Sequence, residues 1–145
     1  MDAKDDVVAL ALRVFRAIEA RDVDAAVAIM APDVDIFDPH YPVPRMSGQE
    51  EFRAGMEWGL SVMERFGFTV MQTFLSQDGF SAAFEVASHH KLKAGKELSF
   101  SQVFVVEARD GLIRRLHAYE PYGPNGIGGF FLGLERLKRR LTGRR

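Results

Sequence analysis

The segment from Phe68 to Glu120, FTVMQTFLSQDGFSAAFEVASHHKLKAGKELSFSQVFVVEARDGLIRRLHAYE, decides the fold. Its apolar residues recur at about every second position, the period of a half-buried strand. Asp78-Gly79, Ala94-Gly95 and Asp110-Gly111 cut it into four runs: Phe68 to Ser76, Phe80 to Leu92, Leu98 to Ala108 and Leu112 to Glu120. Each break is a hairpin-type turn signal. Strands joined so tightly pair antiparallel, because a parallel partner needs a long crossover. The segment is therefore read as a four-strand meander.

Before it the period is helical. Val7, Leu10, Val14 and Ile18 recur at three- and four-residue steps, widened by Ala11 and Phe15, which predicts a helix over about Lys4 to Arg21. Asp22 can cap a shorter second helix carrying Val23, Ala26, Val27 and Met30, which Pro32 and Asp33 stop. An extended piece, Val34 to Asp38, then enters Pro39-His40-Tyr41-Pro42-Val43-Pro44, a stretch too rich in proline for a helix. Ser47 with Glu50 is a capping-box pattern opening a third helix to about Arg65. Phe52, Met56, Gly59, Leu60 and Met63 form its inner face, with Trp58 off that stripe. Helices first and a meander afterwards predict an α+β fold, with helices on one face of a curved sheet.

After Pro121, the loop Gly123 to Gly129 is a hinge, a lid or a plain linker, and a last helix is predicted over Phe130 to Leu141. Phe130, Leu134, Leu137 and Leu141 form its apolar stripe. Residues 1–122 are expected to form the domain proper, and 123–145 an extension of it. The chain carries a net charge of −1, but Gly129 to Arg145 holds six basic side chains against Glu135 alone, so the remainder is acidic. Such a body lacks the wide basic surface of a general nucleic-acid binder. With 47% hydrophobic residues the chain can build a core, and without cysteine it has neither disulfides nor thiol ligands. No signal-peptide pattern or membrane-length apolar run is read, so a cytoplasmic protein without integral membrane contact is the expectation. The basic tail helix can dock on an anionic partner or membrane. Alternatively, Phe130, Phe131 and Leu134 fold back over the domain or onto a second copy.

Asp33-Val34-Asp35-Ile36-Phe37-Asp38-Pro39, followed by Met46-Ser47-Gly48-Gln49-Glu50-Glu51-Phe52, resembles the ketosteroid isomerase and SnoaL-like branch of the NTF2-like superfamily. Asp110 to Tyr119 resembles that family's last strand. The resemblance spans roughly Val7 to Tyr119. It implies a cone in which three helices pack on a strongly curved antiparallel sheet, leaving an apolar pocket at the open end. It also implies a homodimer through the outer sheet face, where His117, Tyr119, Glu85 and Gln102 are expected. In the steroid isomerases an aspartate moves the proton, while a tyrosine and a protonated acid hold the enolate oxygen. Carried over, the aspartate falls on Asp38, the tyrosine on Val14 and the acid on Val103. Two valines cannot donate a hydrogen bond, which speaks against steroid isomerisation by that route.

The resemblance thus implies a small hydrophobic molecule in the pocket and proton abstraction next to a carbonyl, with Asp38 as base. An Asp-Pro turn bonded to its own loop is the alternative for Asp38. Glu120, in phase with Leu116 and Ala118, is the candidate auxiliary acid, or else a solvated strand end. His40 or Tyr41 can hold the substrate oxygen, or else pack over the pocket edge. Val14, Phe15, Trp58, Ala82, Phe84, Val86, Phe100, Val103, Leu116 and Ala118 are the expected lining. His89 and His90 are adjacent on one strand and point to opposite faces, His90 inward, so they cannot chelate one metal together. No metal or cofactor is inferred, since neither a zinc-binding pattern nor a dinucleotide fingerprint is present. A non-catalytic binding or protein-interaction module is the rival reading.

Overall fold

A computed structural model of the chain describes residues 6–120 and 127–143. The first helix, α1, spans Val7–Glu19 and buries Val7, Leu10, Ala11, Val14 and Phe15. The Asp6 carboxylate starts it by accepting from the Val8 N–H at 2.9 Å. Asp22 does the same for α2, Val23–Ala28, accepting from Ala25 N–H at 2.9 Å. Strands β1 (Met30–Phe37) and β2 (Arg45–Ser47) lead into α3, Gly48–Val62. The capping box is not formed as expected. Ser47's side chain makes no capping bond, and Glu51 rather than Glu50 reaches back to the Ser47 N–H, at 2.6 Å.

The meander follows as β4 (Phe68–Leu75), β5 (Ser81–Leu92), β6 (Glu97–Arg109) and β7 (Leu112–Tyr119), each pairing antiparallel with the next. The strand order is β2-β1-β7-β6-β5-β3, where β3 is the short strand Met63–Arg65, with β4 also on β5, and the sheet curls into a half-barrel. Helices α1 and α3 lie against this sheet. The fold is the α+β cone expected, with three departures in detail.

First, Pro32 does not end a helix but lies inside β1, where the pairing with β7 is irregular between Met30 and Asp35. A residue without an N–H is tolerated where no ladder bond is needed. Second, β1 runs parallel to β7, with Ile36 opposite Leu116. The short-turn rule governs only strands adjacent in sequence, and these two are joined through most of the chain. Third, α3 stops at Val62, and Met63–Arg65 forms β3 on β5. The Arg21 guanidinium holds that corner, donating to the carbonyls of Leu60, Met63 and Glu64 at 2.8–3.0 Å.

The core lies between α1 and the concave face. Phe84, Val106, Ala108 and Ile113 are fully buried there, and Phe15 meets Phe84 edge-on and Phe104 at 5.0 Å. Between Glu107 and Ala108 the β6–β7 register slips, leaving one extra residue on β7. The slip shifts the inward phase from Ile113 to Leu116 and Ala118, and hence toward Glu120. The last helix, α4, runs over Ile127–Thr142, longer than predicted. Leu134, Leu137 and Leu141 are exposed, so the body of the chain does not cover this part of the stripe. Most of the Gly-rich loop and the side chains of Phe130 and Phe131 lie outside the described residues. Among the described residues, no helix is long and apolar enough to cross a membrane.

Candidate functional site

The concave face opens into a cavity of about 100 Å³, walled mainly by apolar and aromatic side chains of α1, α3, β4, β5 and β6. About 10–15 Å³ on this measure accommodates one water, so the space is several waters large. Val14, Phe15, Trp58, Phe100 and Leu116 line it as expected. Ala82, Phe84, Val86 and Ala118 do not. They face inward but are buried where α1 already covers the sheet. Val103 is displaced for a different reason. Along β6 the buried positions are Gln102, Phe104, Val106 and Ala108, so alternation turns Val103 to the outer face. The residue on the cavity wall is Gln102, expected instead on the outer sheet face.

Asp38 follows the last residue of β1 and lines the cavity. Its N–H donates to the Pro44 carbonyl at 2.8 Å, which closes the proline-rich loop on itself. Its Oδ1 accepts from the His40 backbone N–H at 3.0 Å, an Asx turn, and sits 2.8 Å from His40 Nδ1. The other ring nitrogen, Nε2, is ion-paired with Glu120 Oε1. The parallel pairing explains this meeting. Ile36 is level with Leu116, so Asp38 is level with Ala118 and Glu120 lies two residues beyond. His40, its ring tilted 36° to that of Phe100 with the centroids 4.9 Å apart, bridges the two carboxylates. The three candidates Asp38, His40 and Glu120 thus converge at the cavity mouth, with side chains only 15–28% exposed.

Burial alone would push the His40 imidazolium toward neutrality. The hydrogen bond and charge of Asp38, with the charge of Glu120, outweigh it and hold His40 above its ordinary 6.5. Glu120 is also raised. Burial is the main cause, and the Asp38 charge adds to it while His40 opposes it. The mouth therefore retains protons that an unfolded chain would release. Tyr41, the fourth candidate, also lines the cavity. Burial first, then the Asp38 charge, raise its phenol, so it remains an O–H donor. Both His40 ring nitrogens face carboxylates, which leaves Tyr41 as the freer of the two candidate oxygen partners.

Two further polar residues, His90 and Gln102, line the cavity. His90 is buried, and its Nδ1 accepts from the Gly67 N–H at 3.2 Å. Burial and the His40 charge lower its pKa to about 4, so the ring is neutral at pH 7. Gln102 donates through Nε2 to Ser88 Oγ at 2.6 Å, and its Oε1 has no partner among the described residues. Strand parity from Phe84 and Val86 already pointed His90 inward. For Gln102 the cross-strand register with Val86 was the missing signal. Among the described residues, no group of His, Asp and Glu side chains is arranged to hold a metal ion.

Solved structures share this architecture. A Mycobacterium tuberculosis protein in complex with estradiol-17beta-hemisuccinate superposes with a TM-score of 0.72 at 22% identity, over 81% of this chain and 95% of its own. The Δ5-3-ketosteroid isomerase of a Mycobacterium species gives 0.72 at 22% identity, over 81% and 94%. A computationally designed 17-OHP binder gives 0.73 at 22% identity, over 81% and 94%. At such identity the likeness establishes the fold. No curated protein matches the chain. Residues 11–116, most of the cone, match the SnoaL-like domain, and the chain belongs to that family.

Proposed function

We propose that the protein binds a small hydrophobic molecule in the cone and abstracts a proton next to its carbonyl, as an isomerase, cyclase or dehydratase would. The observation that carries this reading is a carboxylate, Asp38, on the wall of an otherwise apolar cavity, coupled through His40 to Glu120. Steroids bound by fold relatives support an apolar, ring-shaped occupant.

The chemistry assigned to each group follows from its bonds. Oδ1 of Asp38 is held by His40, so Oδ2 is the atom that takes the proton. The pair of electrons released from carbon moves onto the carbonyl oxygen, which needs a donor as its charge grows. Tyr41 can supply one O–H. As Asp38 becomes neutral it ceases to stabilise the His40 imidazolium, and Glu120, already raised, is placed to accept the proton from Nε2. Glu120 is thus the second acid-base group.

Deuterium exchange into the methyl group of acetophenone, followed by NMR in D2O, tests proton abstraction without a known substrate. The wild type is expected to exchange it faster than buffer, and Asp38→Asn to slow that exchange by about 10²-fold or more. Unchanged exchange in Asp38→Asn would remove Asp38 as base. The second reading is a binding module without chemistry. It is favoured by the two bonds that Asp38 Oδ1 already accepts within its own loop. Binding of acetophenone with no exchange above buffer would select it.

A further inference from the structure

The cavity has a second polar locus, on the β5–β6 wall and apart from the carboxylates. His90, Ser88 and Val86 project inward from β5, opposite Leu98, Phe100 and Gln102 of β6. Resting on the reading that the cavity takes a small hydrophobic ligand, we propose that His90 Nε2–H and the Gln102 amide hold the ligand's oxygen. They form a neutral hydrogen-bonding subsite selecting planar apolar molecules that carry a carbonyl group.

The geometry sets the tautomer of His90. Nδ1 accepts from the Gly67 N–H, so in the neutral ring the proton sits on Nε2. No hydrogen bond engages that Nε2–H among the described residues. Phe66, Phe68 and Phe100 pack edge-on around the ring, with centroids 5.1–5.4 Å away. A second proton on this ring would break the Gly67 bond and bury a charge among aromatic side chains. The donor is therefore fixed in both place and protonation.

Gln102 supplies the second polar group. It is 3% exposed, lines the cavity and keeps an unpaired Oε1. Buried amide ends are costly to leave unpaired. The Ser88 hydroxyl satisfies one end only. With Nε2 on Ser88, Oε1 is left over, and with the amide turned the hydroxyl donates to Oε1 and the NH2 is left over. The turned amide suits a carbonyl oxygen shared with His90, while the other suits an enol O–H. One amide can thus follow an oxygen as it changes from acceptor to donor, which enolisation requires. The locus is also independent of Val14, where the family's tyrosine would stand.

The test pairs two probes of nearly equal shape, acetophenone and ethylbenzene. NMR titration of the indole N–H of Trp58, the only tryptophan and a cavity residue, reads occupancy. Infrared difference spectra of the 13C-carbonyl ketone read its hydrogen bonding. In the wild type the bound carbonyl band is expected well below its position in hexane. His90→Phe should weaken acetophenone about three- to tenfold relative to ethylbenzene and return the band upward. Gln102→Leu should do the same to a smaller extent, and keeps the test open if His90→Phe fails to fold. A wild-type band at its hexane position overturns the proposal, as does equal weakening of both probes in folded variants. If neither probe binds the wild type, the cavity reading falls and this subsite with it. If both bind and their ratio does not move in the variants, only the subsite falls.

Discussion

Replacing His90 by Gln should flatten the acid limb of the protein's stability profile. The imidazole has a pKa of about 4 in the folded protein against an ordinary 6.5, because burial and the nearby His40 charge oppose its protonation. Between those values the unfolded chain binds a proton that the folded chain refuses. Stability then rises with pH, and it is lost as pH falls from 6.5 toward 4. The interval of about 2.5 units, at about 1.36 kcal/mol each, makes the loss about 3 kcal/mol. His40 and Glu120 act in the opposite sense, since both are raised, but they are present in both proteins. Urea unfolding at pH 7, 5.5 and 4 isolates the difference: wild type should lose about 3 kcal/mol more than His90→Gln over that span. Side-chain NMR should show His90 titrating near 4, with its neutral form protonated on Nε2. Parallel loss of stability in the two proteins, or a His90 titration near 6.5, would refute the reasoning.

Two further outcomes follow from the same geometry. Phe84 is fully buried beneath Phe15, and Phe84→Ala should cost about 3–5 kcal/mol in urea unfolding, with the cavity mouth intact. At that mouth, NMR should find the His40 imidazole titrating above 6.5, and Glu120→Gln should lower that value by removing one of the charges that raise it.

The sequence made the framework legible because its strongest signals are local. Apolar spacing in α1, the Asp-Gly turns and the period-two runs each depend on a few neighbouring residues, and each formed its element as read. Signals requiring two distant segments were weaker. Nothing near Asp38 announces that β1 runs parallel to β7, yet that pairing brings Asp38 level with Ala118 and lets His40 reach Glu120. Likewise Val62 and Arg65 look equally helical in sequence, and the boundary between them is drawn by β5 and by Arg21 from the turn between α1 and α2. The expected lining erred by depth along strands: Phe84 and Val86 have the correct parity, but α1 covers them.

The error at Val103 has a broader meaning for reading function through resemblance. A family residue is carried by alignment, but a strand changes face at every step, so an offset of one moves a side chain out of the cavity altogether. Here that offset separates an outward valine from Gln102, a buried amide on the cavity wall. Val14, unlike Val103, does line the cavity. What changes is the inference drawn from both losses together. A concave sheet offers the ligand every second residue of each strand, and any of these can present a donor if its neighbours fix the side chain. His90 is fixed by Gly67 and three aromatic rings, and Gln102 by Ser88. Two valines at the aligned positions therefore do not make the pocket wholly apolar. They move the search for polar groups from α1 to the β5–β6 wall, where strand register locates them.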